Sequence, residues 1–428
     1  MDRWAESLRK ILIPPGLTAL LLVALILLSA WSFAVPIFEA PDEPDHWQYA
    51  VYLRQNRRLP IYGPEYVEAN SPPLYYVLMS PFAVDTELPH KPDPGTQHWS
   101  IVKRFQNSYS DFSKYWPLRG ARLMTVLLSV VTVLVCYWAG LEASHNHTMG
   151  LLAAGEVAFL PQFTFRGMNI SNDALVTLLC AVALYLIVRI ARRGFTWPVG
   201  LVTAVVIALA FLSKVSAIFI PIPFALVLLS DKAPWRTRFS RLGVLTFSLV
   251  IVVPWLIRNQ VLYGDPLASR AMLTAVSDLV VIKPLTSSYF ALVFPLLLFH
   301  SFIGSFGWMS LWMPEWLYML YGSLMIFSFI GFVARWIRHS IDSRLAVVLL
   351  TWPVLSFLIL IYINLTFDQP QGRYLFPALP ALAVIGAMGL GSIPMWSKWV
   401  TMAVLGALVI LNIYILTTVI IPAYWLPI

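Results

Sequence analysis

The sequence contains little charge and almost no cysteine. Only 12% of its 428 residues are charged and 59% are hydrophobic, with a mean hydropathy of +0.74. A soluble globular chain has about 25% charged residues, so the composition excludes a cytosolic enzyme, a nucleic-acid-binding protein and a disordered chain. It predicts a polytopic membrane protein. Cys136 and Cys180 lie in apolar runs and form neither a disulfide framework nor a metal ligand set.

Long apolar runs make up most of the chain. A helix that crosses the bilayer needs about 20 predominantly apolar residues, and these runs lack the alternating polarity of transmembrane β-strands. Eleven runs qualify, at about 12–35, 120–140, 148–165, 173–190, 197–213, 215–230, 241–257, 315–336, 344–363, 376–394 and 399–420. The sequence therefore predicts an all-α polytopic membrane protein, with about 11 transmembrane helices in a single domain over residues 1–428.

Basic residues set the expected orientation, and the net charge of +8 is interpreted as a topology signal. Short cytoplasmic segments are rich in Lys and Arg, so the N-terminus is taken as cytoplasmic, with Arg3, Arg9 and Lys10. Eleven spans then place the short basic segments inside, namely 189–193, 231–241 and 335–344. No small-residue cleavage site follows the first run, so we expect it to remain as a helix.

One further apolar stretch, 288–314, contains Pro295, His300, Gly304 and Gly307. If it crossed the membrane, the basic segment after it would face outward. We therefore expect an interfacial or re-entrant helix on the outer side. The outer face then holds two long loops, 36–119 and 258–314, and most of the 21 acidic residues. This uneven distribution predicts that the chemistry takes place on the outer face.

The first external loop opens with the densest acidic cluster, Phe-Glu-Ala-Pro-Asp-Glu-Pro-Asp-His at residues 38–46. Four of its seven residues from Glu39 to Asp45 are acidic, and an amphipathic helix is expected from Trp47 to Arg58. Acids at a helix N-terminus can simply be capping residues. Capping needs one or two acids, however, and crowded carboxylates usually bind a cation or abstract a proton. Both interpretations remain open at this point.

Other candidate residues follow on the same side. A Pro-Pro turn at 72–73 leads into Tyr75 and Tyr76, which are expected on a short interfacial helix with both rings at headgroup level. Asp173 opens the fourth span with Asn172 or Ser171 as the expected cap, and the segment could equally be a plain capping motif. Three cations stand at outer helix ends and suit either phosphate binding or interfacial snorkelling, namely Lys214, Arg258 and Arg373.

Two polar features have less defined roles. Glu156 lies inside the third predicted span, and an ionisable group there should face the helix bundle or a wet cavity. The pattern does not distinguish a structural partner from a functional group. His145 and His147 fall on the cytoplasmic side with no acidic or cysteine partner nearby, which predicts a loop and not a metal site.

These motifs resemble the GT-C class of membrane glycosyltransferases, which includes the protein O-mannosyltransferases and the lipid A aminoarabinose transferases. In that class a short acidic motif opens the first external loop, and Asp-Glu-Pro-Asp-His at 42–46 is similar to it. Pro-Pro-Leu-Tyr-Tyr at 72–76 resembles the second landmark of that loop, although Asn70 and Ser71 stand where some relatives have a basic residue. Gln-Gly-Arg-Tyr-Leu-Phe-Pro at 371–377 completes the resemblance to a bacterial branch with mostly unassigned substrates.

The resemblance implies a GT-C-like bundle with interfacial helices in the first external loop, in a bacterial plasma membrane. It implies inverting transfer of a hexosyl or pentosyl group from a polyprenyl-phosphate donor to the hydroxyl of a glycan, lipid or protein acceptor. Asp42 is the expected general base, supported by Glu43. The expected substrate-binding residues are Glu39, Asp45, His46, Tyr75, Tyr76, Asp173, Lys214, Arg258, Gln371, Arg373 and Tyr374.

A divalent cation, Mg²⁺ or Mn²⁺, is an open option, with Asp42, Glu43 and Asp173 as candidate ligands. The alternative function is a transporter or lipid flippase with an outward-facing acidic cation site. That class is expected to show ionisable residues near the midplane and paired half-domains, and no halves repeat in this sequence. A hydrolase with two carboxylates flanking a sugar is a third option, although hydrolysis does not require eleven spans.

Overall fold

The structure is a computed structural model that describes residues 14–63, 65–86, 88, 115–275, 280–391 and 397–425. The α-helices are α1 (Pro15–Ala34), α2 (Glu43–Asn56), α3 (Leu74–Met79), α4 (Trp116–Ser144), α5 (His147–Ala158), α6 (Pro161–Arg166), α7 (Asn172–Arg193), α8 (Trp197–Ser213), α9 (Pro221–Leu229), α10 (Trp235–Leu242), α11 (Leu245–Tyr263), α12 (Ser269–Ala275), α13 (Phe294–Ile303), α14 (Glu315–Ile337), α15 (Ser343–Asn364), α16 (Leu379–Leu390), α17 (Lys398–Ile415) and α18 (Ile421–Trp425). Shorter segments are the 3₁₀-helices Val67–Asn70, Val215–Phe219 and Gly372–Ala378, the π-helices Tyr289–Val293 and Leu416–Ile420, and strands β1 (Ser305–Phe306) and β2 (Leu311–Trp312). Several predicted features lie outside the described residues, namely the basic N-terminus, residues 89–114 of the first external loop and the last three residues.

Eight helical stretches in the described part of the chain are long and apolar enough to cross a membrane. They are Pro15–Ala34, Trp116–Ser144, Asn172–Arg193, Trp235–Tyr263, Glu315–Ile337, Ser343–Asn364, Gly372–Leu390 and Lys398–Trp425. The predicted runs at 197–213 and 215–230 form shorter helical segments. The run at 148–165 is divided into α5 and α6 because Pro161, which has no N–H, starts a new helix. The all-α polytopic membrane fold is confirmed, and the count of eleven spans stays a prediction.

The bundle is built around α4. This helix packs against α5 and α7, while α16 packs against both α14 and α5. Gly140 and Gly150 lie where α4 and α5 approach closely, as small residues do between membrane helices. The resulting arrangement brings the first residues of α7 beside the first turns of α4, where the first external loop begins.

A separate apolar cluster attaches the first external loop to the bundle. It joins Trp47 and Tyr49 of α2, Tyr75 and Tyr76 of α3, and residues at the starts of α4 and α7. The expectation that Tyr75 and Tyr76 lie at headgroup level is wrong, because both side chains are fully buried within the protein. Burying these aromatic groups fixes α2 and α3 on the bundle. The amphipathic helix expected from Trp47 begins earlier, at Glu43.

The stretch 288–314 forms the π-helix Tyr289–Val293, then α13, then a short hairpin. In the hairpin Ser305 pairs with Trp312 and Phe306 with Leu311. The C-terminal end of α13 packs tightly against the 3₁₀-helix Gly372–Ala378, and a Cβ atom on Gly372 would overlap backbone atoms of Phe302. This close packing places Arg373 beside the first external loop.

Candidate active site

Asp42 is the residue immediately before α2. Its backbone has φ of 65°, a left-handed conformation that is uncommon for a residue other than glycine. Its carbonyl accepts the first helical hydrogen bond, from the backbone N–H of His46 at 3.0 Å, and Pro44 suits the first turn of the helix. Such strained backbone conformations cluster at functional sites.

The Asp42 carboxylate pairs directly with Arg373. Arg373 Nη2 lies 2.5 Å from Asp42 Oδ2, and the side chains are 8% and 29% exposed. Burial alone would raise the pKa of Asp42, but the nearby cations, led by Arg373, outweigh it and lower the pKa from 3.8 to about 2. Asp42 is therefore ionised and charge-paired at neutral pH.

Asp173 lies on the other side of Arg373 and is 2% exposed. Its Oδ1 pairs with Lys214 Nζ at 2.5 Å, and its Oδ2 pairs with Arg166 Nη2 at 2.8 Å. Arg373 Nη1 is 4.0 Å from the same Oδ2. The structure thus joins two carboxylates and three cations in what we call the charge cluster: Asp42, Asp173, Arg166, Lys214 and Arg373.

The charge cluster is supported from several elements. Arg166 also donates to the carbonyl of Pro41 at 3.2 Å, which connects the cluster to the residue before Asp42. Ser171 caps α7 by accepting the backbone N–H of Asp173 at 3.2 Å, so the capping function expected for this segment belongs to Ser171. The ring of Tyr374 lies 5.4 Å from both Lys214 Nζ and Arg373 Cζ, within cation–π range.

A small cavity borders the cluster. Its volume is about 10 Å³, the space of roughly one water molecule, and Arg166, Gln371 and Arg373 are among its lining residues. Two buried polar atoms of this lining, Arg373 Nε and Ser305 Oγ, have no hydrogen-bond partner. Unsatisfied buried donors are costly, so this edge of the cluster suits an additional acceptor group. Gln371 itself donates to the side chain of Gln369 at 2.7 Å.

Glu43 has different surroundings from Asp42. It is completely buried and pairs with Arg122, which donates from Nε at 2.7 Å and from Nη2 at 2.6 Å. It also accepts the backbone N–H groups of Phe38 at 2.8 Å and Ile170 at 3.0 Å. Arg122 further donates to three carbonyls, those of Ser32, Val35 and Pro36. This bonding ties the turn between α1 and α2 to α4, and it leaves the Glu43 carboxylate inaccessible to substrate.

His46 belongs to a second polar network next to Asp42. Its Nδ1 lies 2.9 Å from the Tyr76 hydroxyl and 3.7 Å from Glu68 Oε2. Glu68 also accepts from Ser71 Oγ at 2.7 Å and from the Tyr76 hydroxyl at 3.3 Å. The ring of Tyr76 stacks on that of Tyr49 at 3.7 Å. Burial raises the pKa of Tyr76 well above its usual value, so it remains a neutral hydroxyl.

The remaining predicted residues have contacts elsewhere. Arg258 donates to the carbonyl of Pro60 at 2.6 Å, which joins α11 to the first external loop. Tyr75 hydrogen-bonds Thr125 on α4 at 3.3 Å. Glu39 is buried in the turn before α2, and Asp45 is half-buried in its first turn.

The arrangement of acids does not fit a divalent cation. Asp42, Glu43 and Asp173 each face guanidinium or ammonium groups, which occupy the positions that a metal would need. Within the described ranges no group of three or more His, Cys, Asp or Glu side chains could hold a metal ion. We therefore derive no step through a metal.

Sequence reasoning missed Arg122, Arg166 and Glu68. A signal existed for both arginines, because each lies in or next to an apolar run, where a cation is costly and must find a partner. Glu68 carried no comparable signal, since it stands in a polar loop segment. The side chain of Glu156 packs against Gly386 of α16, and its Oε1 has no hydrogen-bond partner.

Comparison with known proteins agrees with this architecture. Residues 116–257 match the family described as dolichyl-phosphate-mannose-protein mannosyltransferase. A search of the curated proteins gave no match. Solved structures similar to this chain include the oligosaccharyltransferase of Archaeoglobus fulgidus in its apo form, with a TM-score of 0.56 and 15% identity over 94% of this chain and 55% of that one.

ArnT from Cupriavidus metallidurans bound to undecaprenyl phosphate is similar with a TM-score of 0.56 and 15% identity, over 92% of this chain and 64% of that one. AglB from Archaeoglobus fulgidus, in complex with an inhibitory peptide and a dolichol-phosphate, has a TM-score of 0.54 and 14% identity, over 94% of this chain and 55% of that one. The chain thus spans 55–64% of the length of these three proteins. The predicted resemblance is confirmed: the protein has the integral membrane fold of the GT-C glycosyltransferases.

Proposed function

We propose that the protein is a glycosyltransferase that moves a sugar from a polyprenyl-phosphate donor to an acceptor hydroxyl, with inversion at the anomeric carbon. The charge cluster is the main support for this proposal, because one accessible carboxylate lies beside three cations in it. Transfer needs a base for the acceptor hydroxyl and positive charge for the departing phosphate. The cluster places both in one site.

Asp42 is the base in this proposal because it is the accessible one of the two carboxylates in the charge cluster. Its side chain is 29% exposed, whereas Asp173 is 2% exposed and Glu43 is fully buried. The acceptor oxygen attacks the anomeric carbon and transfers its proton to Asp42. The bond between that carbon and the phosphate oxygen breaks, and the electron pair stays on the lipid phosphate.

Arg373 and Lys214 are the proposed partners of that phosphate. Arg373 has an unsatisfied Nε beside the small cavity, and the Lys214 side chain is 19% exposed. Arg166, at 1% exposure, also lines this cavity, but it pairs directly with Asp173, and we assign it to holding Asp173 in place. Gln371 and Tyr374 flank Arg373 in sequence and complete the proposed donor side.

The other predicted residues receive positioning roles. Glu43, through Arg122, fixes the turn that presents Asp42, and Glu39 and Asp45 belong to the same turn. His46 and Tyr76 hold the first turn of α2 through Glu68. We assign Arg258 to the loop and not to the phosphate, because its guanidinium donates to the Pro60 carbonyl.

We propose that loops 36–119 and 258–314 lie on the outer face of a bacterial plasma membrane, with the N-terminus cytoplasmic. The acceptor, a glycan, lipid or protein, docks on the first of these loops. The donor reaches the charge cluster from the surrounding lipid. The undecaprenyl phosphate bound to ArnT and the dolichol-phosphate bound to AglB are ligands of this chemical kind.

A donor screen tests the proposed function. Purified protein in lipid nanodiscs is incubated with radiolabelled hexosyl and pentosyl polyprenyl phosphates and with a membrane extract as the acceptor source. We expect label to move to an acceptor with release of polyprenyl phosphate for at least one donor. The Arg373→Gln protein should lose this transfer, and Asp231→Asn, which alters a distant ion pair with Arg241, should keep it. Absence of transfer and of lipid-phosphate binding by the unmodified protein would contradict the proposal.

The feature that favours the transporter or flippase alternative is Glu156, a buried acid with an unpartnered oxygen between α5 and α16. Ion-coupled transport would depend on this group, whereas transfer at the charge cluster would not. Glu156→Gln should therefore leave sugar transfer intact. Loss of lipid or ion movement in this variant, with no transferase activity in the unmodified protein, would favour the alternative.

A further inference from the structure

The proposed base and a proposed phosphate partner are bound to each other in this structure. Arg373 Nη2 and Asp42 Oδ2 are 2.5 Å apart. On the basis of the proposed function, we propose that this ion pair blocks the site until the donor phosphate binds Arg373 and breaks its contact with Asp42. Donor binding would then have to precede deprotonation of the acceptor.

Base strength supports this order of events. A general base works best when its pKa lies near the working pH. The pKa of Asp42 is lowered to about 2, with Arg373 the strongest of the cations that lower it. A carboxylate in this state holds a proton poorly, so removing Arg373 from Asp42 raises its basicity at the moment when a proton must be accepted.

Arg373 is the cation of the charge cluster that can exchange its partner. Lys214 and Arg166 both hydrogen-bond directly to Asp173, so each already has a short carboxylate contact that does not involve Asp42. Arg373 Nη1 is 4.0 Å from Asp173, beyond hydrogen-bond distance, and its Nε has no partner. Arg373 is therefore held mainly by Asp42 and still has donor groups to offer to a phosphate.

The edge of the small cavity is the place where the phosphate would bind. Arg373 lines the small cavity together with Ser305, whose hydroxyl is also buried without a partner. A phosphate oxygen at this edge would accept from both side chains. The donor phosphate is a diester with one negative charge and two free oxygens, which a guanidinium can bind in a bidentate pair, and its charge grows as the bond to the sugar breaks.

The proposal predicts an unusual effect of removing the base. Asp42→Asn deletes the carboxylate that competes with phosphate for Arg373, so undecaprenyl phosphate, used as the probe, should bind more tightly. Loss of the competing carboxylate should free one charged hydrogen bond of Arg373 for the phosphate, which corresponds to a gain of about tenfold. Asp231→Asn, which opens an equivalent Asp–Arg pair far from the site, should leave the affinity unchanged. Arg373→Gln should abolish the gain when it is combined with Asp42→Asn.

The measurement is the dissociation constant of undecaprenyl phosphate in nanodiscs, taken for the unmodified protein and the three variants. Tighter binding by Asp42→Asn, dependent on Arg373, supports the blocking ion pair. Equal or weaker binding by Asp42→Asn, when the unmodified protein binds the probe, overturns it and leaves the proposed function standing. No binding by any of the proteins would overturn both.

The exposed surface of α10 supports a second inference. The helix α10 forms the first part of the apolar stretch Trp235–Tyr263 and contains no buried residue. Trp235 and Phe239 are 62% and 59% exposed and are four residues apart, so they share one face of the helix. Arg236 lies beside this face with its Cζ 5.6 Å from the Trp235 ring, and Lys232 precedes the helix. In the described part of the chain, neither cation pairs with a carboxylate.

We infer that α10 binds anionic phospholipid headgroups at the membrane surface. Aromatic side chains on one face and cations beside it are the pattern of helices that lie in the lipid interface. The neighbouring Arg238 and Arg241 are already engaged, with the Leu229 carbonyl and with Asp231. Lys232 and Arg236 are the exposed cations of this segment, and they are the ones we assign to lipid phosphates.

Lipid exchange tests this surface. The protein is placed in nanodiscs of phosphatidylcholine alone or mixed with phosphatidylglycerol, and bound lipid is counted by native mass spectrometry. We expect retained phosphatidylglycerol, with about fivefold weaker retention in Arg236→Gln and further loss in Trp235→Ala. Trp316→Ala, an exposed tryptophan on α14, is the control. Equal retention of both lipids, or displacement by inorganic phosphate alone, would overturn the inference.

Discussion

The ion pair between Glu43 and Arg122 gives the most quantitative prediction. Both side chains are 0% exposed, and Arg122 donates five hydrogen bonds, two to Glu43 and three to main-chain carbonyls. Arg122→Met leaves the Glu43 carboxylate buried without a cation. Breaking a buried pair in this way costs about 3–5 kcal/mol, which is a large fraction of the stability of a folded domain.

The assay is chemical unfolding in detergent micelles for Arg122→Met, Glu43→Gln and the double variant. We expect each single substitution to lower the free energy of unfolding by about 3–5 kcal/mol, and the double variant to lose about 2–3 kcal/mol less than the sum. The partly exposed pair Lys283–Asp368 is the control, where an exposed pair contributes about 0–1 kcal/mol. If the losses of unfolding free energy at Glu43 and Arg122 were additive and equal to those of the control pair, the buried ion pair would not stabilise the fold as predicted.

Three further predictions concern packing, pH and phosphate binding. Gly372→Ala should strongly reduce the yield of folded protein, because the added Cβ would overlap the backbone of Phe302. Gly406→Ala is the control and should be tolerated, because nothing lies within 4 Å of its added Cβ. The yield of detergent-solubilised protein measures both effects. Because the pKa of Asp42 in the folded protein is lowered to about 2, its ion pair with Arg373 stabilises the folded state above pH ~4. This contribution to the free energy of unfolding, about 2 kcal/mol, is lost as the pH falls towards 2. The difference in thermal unfolding between the unmodified protein and Asp42→Asn should shrink over that range, and a constant difference would contradict the assignment. Lys214→Met should weaken undecaprenyl phosphate binding by about tenfold, as expected for loss of one charged hydrogen bond, and unchanged affinity would exclude Lys214 as a ligand.

Much of the fold was predictable because membrane helices follow from local composition. Most predicted runs correspond to observed helices, whereas the run at 148–165 is divided at Pro161 and the run at 215–230 is divided into a 3₁₀-helix and α9. The acidic motif, Asp173, Lys214 and Arg373 were also found from the sequence, because charged residues are rare in this chain and those at helix ends stand out. The structure brings four of the predicted residues into one cluster: Asp42, Asp173, Lys214 and Arg373.

The pairing of charges was not predictable. Adjacent acids in the sequence, Asp42 and Glu43, occupy opposite situations, one accessible and one closed by Arg122. That difference depends on a residue about eighty positions away. The burial of Tyr75 likewise depends on contacts with α4 and α7, which periodicity does not reveal. Local pattern finds candidate groups, while their protonation, accessibility and partners are set by tertiary contacts.

In the proposed mechanism Asp42 takes up the proton of the acceptor hydroxyl. The most direct measurement is single-turnover sugar transfer by Asp42→Asn with a donor identified in the screen, together with donor affinity in the same preparation. We predict donor binding at least as tight as that of the unmodified protein and a transfer rate lower by about 10²–10⁴-fold. If the variant folds, binds donor and keeps most of the transfer rate, Asp42 is not the general base.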